Sequence, residues 1–208
     1  MKILSYKKHS KEELIKRLRK VTLLHSSNTK NPIYIYKNAE IELTNLPVST
    51  LMPENFYQIE EVLLKLRNLQ EALREKNIDI FNLSGYVSYT TDESKNGYTL
   101  LPVIIEYQLE EDGSINAIIL DGLHRISIAR SQKLDTVRVI KIAKVSKEYP
   151  VFGYANPNGW QDVKLVQTVP DKKDKRLWRF PLEEVYKYYR DFNSAFENVG
   201  KPRTPKNP

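Results

Sequence analysis

The run Ile115-Asn116-Ala117-Ile118-Ile119-Leu120 is strand-like, and it ends in Asp121-Gly122 just ahead of a helix-type segment, Ile126 to Leu134. A chain that breaks from strand at Asp-Gly and restarts as helix points unpaired N–H groups at whatever lies above the strand end. Those donors and the helix dipole attract anions. His124 and Arg125 add side-chain donors at the same turn, and Asp121 adds a carboxylate. Gly122, Leu123, His124 and Arg125 are therefore the expected phosphate-binding residues, with Arg125 making a forked contact. Asp121 is the expected metal ligand, or the group that orients an acceptor hydroxyl. The competing reading makes Asp121 a helix cap and Arg125 half of a surface ion pair.

The rest of the composition narrows the chemistry. The 208 residues include no cysteine, which excludes disulfides, thiolate nucleophiles and Cys-type zinc sites. His9, His25 and His124 are scattered singly, so carboxylate oxygens binding Mg²⁺ are favoured over a histidine cluster. No apolar run approaches the roughly 18 residues of a membrane span. The N-terminus lacks a signal-type apolar stretch, so a cytoplasmic location without membrane partners is expected. The formal charge is +7, yet residues 1–20, 171–179 and 201–208 carry +6, +3 and +3, leaving −5 for everything else. Nucleic acid is therefore a possible partner through basic flanks rather than a favoured one through a central groove.

Along the chain, Ser10-Lys11-Glu12-Glu13 has capping-box form, and Leu14, Ile15, Leu18 and Val21 follow on one helical face. Ile33–Tyr36 and Ala39–Leu43 read as short strands around a Lys37-Asn38 turn. Leu46 to Pro53 is a rigid lead-in to a long helix carrying Ile59, Val62, Leu63, Leu66, Leu69 and Leu73, with Pro53 suited to its first turn. Tyr86–Thr91, Tyr98–Tyr107 and Ile115–Leu120 read as strands joined by hairpin turns, and Thr136–Ala143 as another strand. After Ser146 the chain is loop-rich, closing with a helix predicted over about Leu182–Phe196 on an aromatic face. The expected units are 1–39 (helix and lead-in), 40–145 (core), 146–200 (extension, substrate-facing) and 201–208 (disordered tail).

The motif Asp121-Gly122-Leu123-His124-Arg125, preceded by Leu101-Pro102-Val103-Ile104-Ile105 and followed by Val137-Arg138-Val139-Ile140, resembles the ParB/sulfiredoxin-like superfamily over residues 40–145. The resemblance is nearest to its free serine kinases, which carry Asp-Gly-x-His-Arg. It implies an α+β fold: a mixed sheet with packed helices, here with a hairpin inserted between Ile78 and Leu100. Sulfiredoxins need a Cys where this chain has Leu123. Chromosome-partitioning ParB proteins have Gly-Glu-Arg-Arg here and a helix-turn-helix module downstream, which residues 146–208 do not resemble. The kinase resemblance implies a nucleotide, ATP or ADP, with Mg²⁺, a small hydroxyl-bearing acceptor such as an amino acid, and Glu54 as general base. Glu60 and Glu61 are the alternatives for that base. The rival class is a ParB-like nucleotide-binding module, or a DNA-binding or nuclease protein, without kinase activity.

Two further segments bear on the acceptor. Asn156-Pro157-Asn158-Gly159-Trp160 could bind substrate through Asn158 and Trp160, or could be a turn whose Trp plugs the core. Lys172-Lys173 and Lys175-Arg176 could reach a nucleotide phosphate, but a solvated charge run is the favoured reading. His9 and His25 receive no role.

Overall fold

The apolar run Val103–Ile105 lacks the alternation of a half-exposed strand, and in the computed structural model, which describes residues 1–199, it is buried on two sides, as are Val139 and Ile140 of a neighbouring strand. The chain begins with β1 (Ile3–His9), α1 (Lys11–Leu18) and the short β2 (Thr22–Leu23). It continues through β3 (Glu40–Pro47), β4 (Tyr57–Ile59) and α2 (Glu60–Arg74). Then come β5 (Tyr86–Thr91), β6 (Ser94–Leu100), β7 (Val103–Leu109) and β8 (Ile115–Asp121). Last are α3 (Leu123–Ser131), β9 (Thr136–Ala143), β10 (Lys164–Val166) and β11 (Arg190–Asp191). The fold is α+β, as expected.

The central sheet has the order β3-β9-β7-β8, with β7 and β9 parallel and the outer pairs antiparallel. Strand alternation sorts its side chains onto two faces. Val103, Ile105, Ala117, Ile119, Val137 and Val139 pack with Leu69, Leu73, Ile126 and Ala129 of α2 and α3. Ile104, Ile140 and Ile142 pack on the other side with Leu14 and Leu18 of α1 and with Phe196 near the end of the described chain. Ser10 caps α1 as its sequence predicts, its Oγ accepting the Glu13 N–H at 3.2 Å. The inserted hairpin is present as β5 and β6, and it gains a third strand, because β1 pairs antiparallel with β5. Residues 3–9 are thus strand, which their sequence had not suggested.

Other expectations need correction. Tyr98–Tyr107 is two strands in two sheets, since Leu101-Pro102 breaks the ladder. Ile33–Tyr36 is a single bridge (Thr22 with Tyr34) followed by a turn, and Tyr36 is drawn inward to Glu106. The long helix starts at Glu60, so Pro53 and Glu54 lie in the loop before β4. No α-helix forms over 182–196, which contains 3-10 turns at Val185–Tyr188 and Phe192–Ser194 around β11. Its aromatic residues find separate partners instead of one helical seam. Phe180 stacks on Tyr188 with centroids 3.6 Å apart, Tyr189 meets Phe152 edge-on at 4.7 Å, and Phe196 meets Tyr86 at 5.4 Å. The tail expected over 201–208 lies outside the described residues.

Candidate functional site

The strand end at Asp121 is shaped by two local irregularities. Ile104 pairs with Asp121 while Ile105 pairs with Ile119, leaving Leu120 as an extra residue in β8. A bulge of this kind bends the strand and re-aims the residue after it. Gly122, the N-cap of α3, then turns with φ +98°, and a Cβ there would meet Val103 Cγ2 at 2.8 Å. Only glycine meets both demands. The result sets Asp121, half-buried, on the wall of a cavity of about 420 Å³ lined also by Tyr57, Phe152, Lys175, Asp191 and Phe192. The cavity lies between the strand ends and the C-terminal extension.

Arg125 takes a different orientation from the forked phosphate contact expected of it. Its guanidinium is 4% exposed; Nη1 donates to the Leu101 carbonyl and Nη2 to Asp121 Oδ2 at 2.6 Å. It holds the Asp121 carboxylate from below, and among the described residues Asp121 Oδ1 has no protein partner. His124 Nε2 accepts the Ile59 N–H at 3.1 Å, tying α3 to the start of α2. The ring is therefore the Nδ1–H tautomer, with Nδ1–H as its remaining donor. Burial pushes the His124 pKa down, opposed by the Asp121 charge, so the imidazole is neutral near pH 7. Gln58, beside it, accepts from Ser127 Oγ at 2.8 Å.

Glu54 reaches the same end of the sheet by an added pairing. Met52 bridges Ile118 in parallel, with Met52 N–H to the Ala117 carbonyl at 2.9 Å and Ile119 N–H to the Met52 carbonyl at 3.0 Å. The Glu54 loop is thereby threaded alongside the last residues of β8. Glu54 is 2% exposed and forms an ion pair with Arg176, which also donates to Asn55 Oδ1. Glu54 Oε2, Arg176 Nε and Asn156 Oδ1 are buried without partners. Being outside the helix, Glu54 owes nothing to the preference for acids in a first turn; Glu60 and Glu61 occupy that turn and are exposed.

Asn158 and Trp160 lie away from the cavity wall. Asn158 closes its own turn on Asp162, at 2.9 and 3.0 Å. Trp160 donates to the Leu51 carbonyl at 2.9 Å, packs against the main core and carries Arg130 over its ring. The charge run 172–176 is only partly solvated: Arg176 is buried and Lys175 lines the cavity. Sequence reasoning missed Asp191 and Arg190, and it favoured a solvated run for Lys175 and Arg176. The one available signal was Glu106, an acid inside an apolar strand that requires a buried cation. Its partner is Arg190, whose Nη2 meets Glu106 Oε1 at 2.5 Å.

The family model of the ParB CE domain matches residues 13–164. The chain belongs to this family. Neither a curated protein nor a solved structure matches it. The match is wider than the 40–145 over which the sequence shows its resemblance, taking in most of α1 and the strap up to β10. Asp121, Glu54 and Glu106 fall inside it, whereas Arg176 and Arg190 fall beyond it. Among the described residues no group of three or more His, Asp or Glu side chains could hold a metal, and no helix is long and apolar enough to cross a membrane. A protein-only metal cage is thus not built here. Asp121 Oδ1 is a single carboxylate oxygen without a protein partner, which alone is short of the ligand set of a metal ion.

Proposed function

We propose that this ParB CE domain protein is a small-molecule kinase, passing a phosphoryl group from ATP or ADP to the hydroxyl of a serine-like amino acid or related metabolite. The observation that carries this reading is Asp121: a carboxylate aimed by a bulge and a left-handed glycine into a cavity, held at one oxygen and free at the other. Phosphoryl transfer needs positioning and neutralised oxygen charge more than covalent help from the protein. Asp121 Oδ1 would hold Mg²⁺, whose charge would supply neutralisation for the phosphate oxygens. The first-turn N–H groups of α3 and the His124 Nδ1–H supply donors for the phosphate. Lys175, on the cavity wall, adds a cation. The acceptor hydroxyl loses its proton to Glu54 as its oxygen bonds to phosphorus and the bond to the leaving nucleotide breaks. That step requires Arg176 to release Glu54, whose second oxygen is already without a partner.

The test is incubation of the full chain with Mg²⁺, ATP or ADP and a pool of hydroxyl metabolites, read as a new phosphorylated mass. Asp121→Asn and Glu54→Gln should each lower turnover by about 10²-fold or more while the circular dichroism spectrum stays unchanged. Wild-type rates in both variants would remove the mechanism. A second reading, a ParB-like nucleotide-binding module without transfer, is favoured by the arginines that occupy both Glu54 and Asp121. Saturable nucleotide binding with no phosphorylated product would select it.

A further inference from the structure

The polar face of the three-stranded sheet holds a set of side chains that the cavity chemistry does not use. Ser5, Lys7 and His9 of β1 and Tyr86, Ser88 and Thr90 of β5 share this face, with Lys7 paired to Ser88 and His9 paired to Tyr86. His9 Nδ1 lies 3.1 Å from Glu13 Oε2, and His9 Nε2 lies 3.0 Å from Ser88 Oγ. A carboxylate only accepts, so Nδ1 carries the proton and donates to Glu13, and Nε2 accepts from the Ser88 hydroxyl. Glu13 is itself fixed, accepting from Tyr86 OH at 2.6 Å and pairing with Arg17 Nε at 3.4 Å. The Tyr86 hydroxyl and His9 hold the Glu13 carboxyl below its usual range, and it stays ionised. The His9 side chain is only 9% exposed, and its ring stacks on Tyr86 with centroids 4.0 Å apart and planes 5° apart. Ser88 is half-buried, on a face whose β1 neighbours Ser5 and Lys7 are exposed.

We propose that Ser88, His9 and Glu13 form a second, hydrolytic site that acts on small carboxylic esters reaching this open face. The geometry meets the requirements of an activated serine: nucleophile to base, base to orienting carboxylate, and an orienter locked by further contacts. Ser88 Oγ attacks the acyl carbonyl while its proton passes to His9 Nε2. The Lys7 ammonium, exposed and directly across the strand pair, faces the developing oxyanion. The carbon–oxygen bond to the alcohol then breaks, and the leaving alkoxide takes the proton from His9. Water, deprotonated by the same nitrogen, releases the acid and restores Ser88, so ester and water give acid and alcohol. Ser88 and His9 touch the substrate; Glu13 acts through His9 as a positioning residue.

The experiment is reaction of the full chain with a fluorophosphonate probe, with peptide mass spectrometry locating the adduct and p-nitrophenyl acetate turnover as a second readout. The adduct is expected on Ser88. Ser88→Ala should abolish it, and His9→Gln should slow labelling and turnover by about 100-fold. Glu13→Gln should slow both by about tenfold, with partial rescue by Glu13→Asp, which a merely structural carboxylate would not give. An adduct absent from Ser88 in the folded wild type overturns the proposal without any variant being needed. Labelling of Ser88 that His9→Gln leaves unchanged also overturns it. Neither outcome depends on the kinase reading, because the probe reports no phosphoryl transfer.

Discussion

Two buried ion pairs fasten the C-terminal extension to the family core, and they are built to different standards. Glu106–Arg190 is complete. Arg190 donates to both Glu106 oxygens and to the carbonyls of Tyr149, Pro150 and Tyr188, while Tyr36 OH donates to Glu106 Oε2 at 2.9 Å. Burial and the Glu106 charge raise the Tyr36 pKa far above its usual value, so the phenol stays a donor. Glu54–Arg176 is equally buried but leaves Glu54 Oε2 and Arg176 Nε unpaired. Arg176 leans instead on the faces of Phe152 and Trp178, 4.8 and 4.9 Å from the ring centroids. A buried charge with full hydrogen bonding is a fastening, whereas one with orphaned atoms retains capacity to bind something else. The contrast marks the first pair, whose Arg190 also lines the cavity, as the full fastening and the second as the one that keeps unsatisfied buried atoms.

The largest effect should come from breaking the complete pair. Arg190→Met strands the Glu106 carboxylate in the core and should cost about 3–5 kcal/mol in chemical denaturation. A loss below about 1 kcal/mol would mean that the extension is not fastened there. Replacing both partners sharpens the comparison. Glu54→Leu with Arg176→Met removes both poorly satisfied charges, and stability should stay within about 1 kcal/mol of wild type or rise. The matching double change at Glu106 and Arg190 should still destabilise, because three carbonyls and the Tyr36 hydroxyl lose partners worth about 1–3 kcal/mol each when buried. If the two doubles behave alike in parallel denaturation curves, the distinction between the complete and the incomplete pair collapses.

The legible parts of this molecule were those whose pattern is local. The Ser10 cap, the β5–β6 and β7–β8 hairpins and the strand-to-helix turn at Gly122 all announce themselves within a few residues. The turn residues were legible as a constellation, but their orientations were not. Arg125 points inward because the Leu101 carbonyl, left over where Pro102 breaks the strand, needs a donor from 24 residues away. β1 was invisible because five of its seven residues are exposed, and its partner lies about eighty residues on. The helix expected over 182–196 failed because aromatic spacing cannot tell one shared seam from several separate contacts. Both ion pairs span more than eighty positions, and a basic residue in a run such as Lys172–Arg176 carries no mark of which member will be buried.

His124 gives the smallest effect and the most direct electrical test of the turn beside these pairs. Burial lowers its folded-state pKa below the 6.5 of an unfolded chain, with Asp121 opposing that shift. Between those two values the unfolded chain binds the additional proton, so unfolding becomes easier as pH falls. The contribution is therefore fully present above about pH 6.5 and is lost progressively below it, at no more than about 1.4 kcal/mol per pH unit. His124→Gln removes the titrating group and should flatten the stability profile between pH 7 and pH 5. Asp121→Asn removes the opposing charge and should steepen it in a His124-containing chain. The two changes act on one imidazole from opposite sides, so their effects should be non-additive in the double variant, where no slope from this site remains. An unchanged profile in His124→Gln would show that the ring is solvated, and that the Ile59 N–H does not depend on it.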